Sequence, residues 1–167
     1  MQLKDLKKMT AFDDTSDVSD KRLTISKALV FMNEFCNKVY DSFDQSRKNP
    51  DKIQSDFLVD AAVFNFNEYV QCFISIVTVC LMKNNITPSK LSDCTKYSKR
   101  FLSEKVEPAL DFVYQRNALI HKYNMYEEAR SEFITFMVNY SDLLMDVVNE
   151  LRDYCEKHDL LNERVSA

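Results

Sequence analysis

Residues 57–82 read FLVDAAVFNFNEYVQCFISIVTVCLM, and the fold turns on whether this stretch is one helix or a series of strands. Ile74, Ile76, Val77 and Val79 are β-branched and favour strand geometry locally. Length decides against them, because a strand usually runs about 4 to 8 residues and the apolar pattern from Phe57 to Leu81 is far longer. The pattern therefore predicts a helix from about Ser55 to Lys83, apolar on most of its circumference and buried at the centre of a bundle. Its longest uncharged run, Tyr69 to Met82, falls short of the roughly 20 residues that cross a bilayer, so it reads as the middle of a core helix.

Working outward, Ile25, Ala28, Leu29, Met32, Phe35, Cys36, Val39 and Phe43 recur every three or four residues and predict a first helix from about Ser19 to Ser46. Pro50 ends that pattern, since it disfavours helical geometry at Asn49 and removes a backbone donor. On the other side, Thr87, Pro88 and Ser89 have the order of an N-cap followed by proline, which predicts a short helix through Leu91, Cys94, Tyr97 and Phe101. Pro108 opens a fourth helix expected to end near Tyr123, where Asn124 and Glu127 have capping-box spacing. Phe133, Tyr140, Val147 and Tyr154 at seven-residue spacing, with Met137, Leu144 and Leu151 between them, predict one long closing helix packed within the bundle. The expectation is an all-α, up-and-down bundle of four to five helices over residues 19–160. Residues 1–18 form an N-terminal arm, mobile or loosely docked, and residues 161–167 a tail.

Composition narrows the chemistry. Among 167 residues there is no glycine, which removes the phosphate-cradling loops that need it and weakens any reading built on tight hairpins. Two histidines, His121 and His158, are too few for a multi-histidine metal site, and no cysteine pair has CxxC spacing. The five cysteines are an odd number, four of them set in apolar helical patterns, and they read as reduced thiols of a cytoplasmic protein. No apolar segment of the secretory type follows Lys4, Lys7 and Lys8. The net charge of −4 repels polyanions, so any nucleic acid must meet a local basic patch.

One stretch is polar where a bundle helix could have been anything: Tyr114, Gln115, Arg116, Asn117, Ala118, Leu119, Ile120, His121, Lys122, Tyr123, Asn124. Histidine exchanges a proton near neutral pH, arginine holds phosphate in a fixed fork, and asparagine or tyrosine can orient either. These groups suffice for metal-free RNA cleavage, in which the ribose 2′-hydroxyl attacks the neighbouring phosphate. On an ideal helix Arg116 and Tyr123 lie about 20° apart, whereas Arg116 and His121 diverge by about 140°. A fraying last turn or a second subunit would be needed to aim both at one point. The plainer reading is a helix-end dipole partner beside a surface charge.

Arg116 to Tyr123, RNALIHKY, resembles the Arg, four variable residues, His, any residue, Tyr signature of the HepT-like toxins, a branch of the all-helical HEPN superfamily. The resemblance covers more than half of the chain, from about Asp56 to Tyr154, and leaves the first 50 residues outside. It implies a HEPN-like homodimer whose two motifs face each other as one metal-independent endoribonuclease site. In that site Arg116 and His121 are catalytic and Asn117 supports them. It also implies a partner antitoxin, a nucleotidyltransferase of the MNT type, that neutralises the toxin by transferring AMP to Tyr123. Metal and ATP would belong to that partner, and this chain itself would carry no cofactor. The alternative is a non-catalytic HEPN module that binds a nucleotide or a protein partner.

Lys96, Lys99, Arg100 and Lys122 are the candidate RNA contacts, joined in a wider basic patch by Lys105 and Arg130. Tyr97, Phe101, Tyr114 and Tyr126 could stack bases or fill the core. Glu68, isolated in an apolar stretch, either faces the motif and orients His121 or points to solvent. His158 reads as a dipole partner at the end of the last helix.

Overall fold

The computed structural model describes residues 22–121 and 125–165. Among them the chain forms α1 (Ile25–Lys48), α2 (Lys52–Lys83), α3 (Leu91–Ser98), a 3-10 turn (Glu107–Asp111), α4 (Phe112–His121), α5 (Tyr126–Tyr140) and α6 (Leu143–Lys157). The sole extended pairing among the described residues is a single bridge between Thr24 and Arg164. The protein is all-α, with α2 at its centre. The expected arm, residues 1–18, lies outside the described residues, as do Lys122, Tyr123 and Asn124.

Core packing radiates from α2. The Phe66 ring sits 5.0 Å from Phe133 and 5.7 Å from Phe136 of α5, while Phe73 meets Phe112 of α4 edge-on at 4.7 Å. On α6, Cys155 brings its Sγ to 3.7 Å from Cys80. Phe66, Tyr69, Phe73, Phe112 and Phe133 are among the largest fully buried side chains. Removing one such ring, as in Phe66→Ala, would cost about 3–5 kcal/mol. By length and composition α2 could cross a membrane, but half of its most apolar 18-residue window is buried inside the bundle.

Helix ends show where local signals prevailed. Thr24 is extended and its hydroxyl accepts from the Lys27 amide at 3.2 Å, so α1 begins at Ile25. Asp51 caps α2 by accepting from the Gln54 amide at 3.1 Å, which starts that helix ahead of the expected Ser55. Pro108 lies in the 3-10 turn that leads into α4, in keeping with its fixed φ. The Thr87–Pro88 start is corrected: α3 begins at Leu91. The Asp93 carboxylate reaches back to the amides of Ser89 and Lys90 and to the Ser89 hydroxyl, at 2.9, 3.2 and 3.0 Å. Those bonds hold the Asp93 carboxyl below its ordinary pKa.

Without glycine, two helices end on other residues in the left-handed region. Asn85 follows α2 with φ 59°, and Asp159 follows α6 with φ 56°. At each end the next amide returns to the last turn, Ile86 to the Leu81 carbonyl at 2.9 Å and Leu160 to the Cys155 carbonyl at 2.8 Å. This is the Schellman closure with its usual glycine replaced.

The single closing helix is also corrected, because it breaks between Tyr140 and Leu143. The Leu144 amide returns only three residues, to the Ser141 carbonyl at 3.2 Å. Two distant tyrosines bond to this turn: Tyr40 of α1 donates to the Ser141 carbonyl, and buried Tyr69 donates to the Leu144 carbonyl at 2.8 Å. Phe133, Met137, Leu144, Val147 and Leu151 still face inward across the break. The segment after residue 160, read as a tail, is tied to the start of α1. Ile25 and Ser26 donate to the Glu163 and Leu161 carbonyls at 2.9 Å each, Val165 donates to Leu23 at 2.8 Å, and the Val165 side chain is buried.

Candidate functional site

The polar segment lies on α4, anchored by buried Phe112, Val113, Ala118 and Leu119. This leaves Gln115, Arg116 and Asn117 half-buried, and Tyr114 and His121 exposed. Arg116 crosses to the edge of α2, where one Nη donates to the Gln71 amide oxygen at 3.0 Å and the other to the Asn117 amide oxygen at 3.3 Å. Its Nε is buried with no partner in the structure. Burial pulls the guanidinium pKa below its ordinary value and the Glu68 carboxylate opposes that shift. The group stays cationic at neutral pH.

Glu68 and Gln71 are three residues apart and share a face of α2. Glu68 acts on Arg116, whereas His121 has no hydrogen bond or ion pair among the described residues. Arg116 is oriented by Gln71 and Asn117, and Glu68 acts on it only through its charge. Gln71 was not anticipated from sequence, although a second polar residue one turn beyond Glu68 in an apolar stretch was the available signal. Helical geometry persists through His121, so Arg116 and His121 keep their roughly 140° offset within one chain. The structure joins Arg116 to Asn117 and does not bring His121 to them. Tyr123 and Lys122 lie outside the described residues.

Asn117 also lines a groove of about 380 Å³ between α3 and α4, together with Lys96, Lys99, Asp111 and Tyr114. Two of the expected RNA contacts therefore share a wall with the motif. Lys99 is held by Glu107 at 2.5 Å, and Lys96 lies 5.1 Å from the Tyr97 ring. Arg100 stacks on the same ring at 5.2 Å but lines a separate groove with Phe101, Tyr154 and His158. Lys105 and Arg130 leave the wider basic patch. Lys105 pairs with Asp146 at 3.0 Å, and Arg130 binds Asp60 at 3.2 Å and Asp56 at 3.4 Å. Of the four aromatics considered for stacking, Tyr97, Phe101 and Tyr126 pack against the core and Tyr114 is 59% exposed.

Cys72 and Cys36 offer no ready nucleophile. Burial, with Glu68 adding to it, pushes Cys72 up to about 11, and burial alone pushes Cys36 up to about 12. Both remain protonated at neutral pH. His158 sits at the end of α6 with its ring 4.3 Å from Tyr154, a structural placement. Among the described residues, no three His, Cys, Asp or Glu side chains gather as metal ligands. The chain matches no protein-family model, and no curated protein or solved structure is significantly similar to it.

Proposed function

We propose that the chain is a HEPN-like, HepT-type toxin, a cytoplasmic metal-independent RNA endonuclease whose active form is a homodimer. The observation that carries this reading is Arg116: a half-buried cation fixed by two neutral amides, with one buried N–H left without a partner. An anionic phosphate meeting the exposed edge of the guanidinium would supply the missing charge. The groove bearing Lys96 and Lys99 beside Asn117 supports the same assignment, since it gives an acidic chain a local cationic surface for RNA.

In the proposed reaction the ribose 2′-oxygen attacks the adjacent phosphorus, and the bond from phosphorus to the 5′-oxygen of the next nucleotide breaks. His121 takes the proton from the 2′-hydroxyl, the departing 5′-oxygen takes up a proton from water and leaves as a hydroxyl, a 2′,3′-cyclic phosphate remains, and Arg116 stabilises the charge that builds on the phosphorane-like oxygens. The roughly 140° between them on one helix makes a single-chain site unsuitable, so the reading assigns Arg116 and His121 to a site composed from two copies. The antitoxin is a nucleotidyltransferase of the MNT type that places AMP on Tyr123. On a continued helix that residue lies about 20° from Arg116, so the adenylate would occupy the phosphate position.

The second reading is a HEPN module without catalysis, holding a nucleotide or a protein partner. The two amide contacts that already engage the terminal nitrogens of Arg116 favour it, because they restrain the fork that a moving phosphate would need. RNA cleavage by the purified, unmodified chain in EDTA, with His121→Ala alongside, separates the two. Cleavage that vanishes in the variant while helicity and mass persist supports the nuclease. Absence of cleavage with retained AMP binding supports the module.

A further inference from the structure

Cys80 of α2 and Cys155 of α6 are 75 positions apart in the chain and both fully buried, yet their sulfurs lie 3.7 Å from each other. The other thiols are placed differently: Cys94 faces the Thr78 hydroxyl at 3.8 Å, and Cys72 lines a groove between α1 and α2. A disulfide needs its sulfurs at about 2.05 Å. From contact distance that is an approach of about 1.7 Å, within the reach of rotation about the two Cα–Cβ bonds.

We propose that Cys80 and Cys155 form a modification site, a dithiol that hydrogen peroxide oxidises to a disulfide joining the C-terminal turns of α2 and α6. At rest the pair is reduced, and its oxidation is independent of any RNA cleavage. Cys155 reacts first. A hydrogen bond from the Cys80 thiol holds Cys155 below its ordinary pKa against the opposing effect of burial, and the same bond, with burial, raises Cys80. The thiolate is the nucleophile. Its sulfur attacks one peroxide oxygen, the O–O bond breaks, and the departing hydroxide takes up the proton that Cys155 gave, leaving a sulfenic acid and one water. The Cys80 sulfur then attacks Cys155, the S–O bond breaks, and the hydroxide leaves with the Cys80 proton as a second water. Across both steps two thiols lose two electrons and two protons, and one peroxide becomes two waters.

Access comes from the helix ends. Cys80 lies in the last turn of α2 and Cys155 in the last turn of α6. The Asn84 amide spans them, donating to the Cys80 carbonyl at 2.7 Å and to the Tyr154 hydroxyl at 3.1 Å. Beyond these turns the chain closes on Asn85 and Asp159 in the left-handed region, where a residue with a Cβ is less favourable than glycine. The second closure is fastened to Cys155 itself, whose carbonyl accepts from the Leu160 amide at 2.8 Å. Helix ends open locally at lower free energy than helix middles, and closures without glycine lower it further. Such openings admit a molecule little larger than water, which is why the oxidant is peroxide and not a bulky disulfide. The loop that the bond closes contains α3, α4 and α5, so the unfolded chain loses much of its freedom.

The test treats the full chain, freed of reductant, with hydrogen peroxide, then unfolds, alkylates and weighs it. The expected product carries three alkyl groups in place of five, with a cross-linked peptide containing Cys80 and Cys155. Its melting temperature should rise by roughly 10 °C. Dithiothreitol should restore five alkylated thiols and remove the shift. Cys155→Ala should keep all its remaining thiols alkylatable and show no shift, whereas Cys72→Ser should still form the disulfide. The mass is read on the wild-type chain, so the test does not depend on either variant folding. Five alkylated thiols after peroxide, a cross-link through Cys36, Cys72 or Cys94, or a sulfinic acid at Cys155 without a cross-link would overturn the proposal. So would a disulfide that leaves the melting temperature unchanged.

Discussion

Two arginines lie against the same helix, α2, and their surroundings differ in kind. Arg130 is 13% exposed in its side chain and faces the Asp56 and Asp60 carboxylates and the Asp56 carbonyl, so its charge is neutralised within the fold. Arg116 is met by amides, Gln71 and Asn117, and its Nε has no partner. The closest influence of opposite sign on Arg116 is Glu68, which does not form an ion pair with it in the structure. A satisfied cation is a structural clamp, while a fixed cation without a counterion is prepared for an anion from outside.

The sharpest way to break this comparison is to remove each arginine in turn. Arg116→Ala should lower RNA cleavage about 10²–10³-fold, the usual loss of one transition-state donor, with the urea midpoint almost unchanged. Comparable cleavage rates would make Arg116 a second clamp. Arg130→Ala should instead cost about 1–2 kcal/mol of stability through lost bonds to two half-exposed carboxylates and lost packing of its stem, as read by urea denaturation. A midpoint within error of wild type would remove the clamp assignment.

A third variant converts one arginine's environment toward the other's. Gln71→Glu supplies Arg116 with the carboxylate it lacks, so stability should rise by about 0.5–1 kcal/mol while affinity for RNA falls about tenfold. Unchanged RNA affinity would show that the phosphate does not meet Arg116. The smallest effect belongs to the groove wall. Lys96→Ala should weaken RNA binding only several-fold and reduce its salt dependence by about one phosphate contact, measured by anisotropy across a salt series.

What the sequence made legible was the helix whose apolar character covers most of its circumference, because burial on all sides needs no knowledge of partners. That Arg116, Asn117 and His121 lie on one helix was legible too, since the Pro108 start signal is local. The break in the closing helix was not, because the heptad seam continues through the tightened turn, and the Tyr40 and Tyr69 hydroxyls that bond there come from distant helices. At α3 two local signals competed, and the Asp93 carboxylate, with three donors, outweighed the Thr87 cap. The absence of glycine argued correctly against hairpins, yet it also required Asn85 and Asp159 to close helices. The contrast between Arg116 and Arg130 was hidden entirely, because which carboxylates reach which arginine is settled by tertiary packing.

The most direct test of the central claim is the affinity of wild type, Arg116→Ala and Arg130→Ala for a 2′-O-methylated RNA, which binds but cannot be cleaved. The account predicts that Arg116→Ala loses about tenfold or more in affinity, the share of a charge-assisted phosphate contact, while Arg130→Ala, kept below its melting temperature, binds as wild type does. Equal affinity for wild type and Arg116→Ala would contradict it.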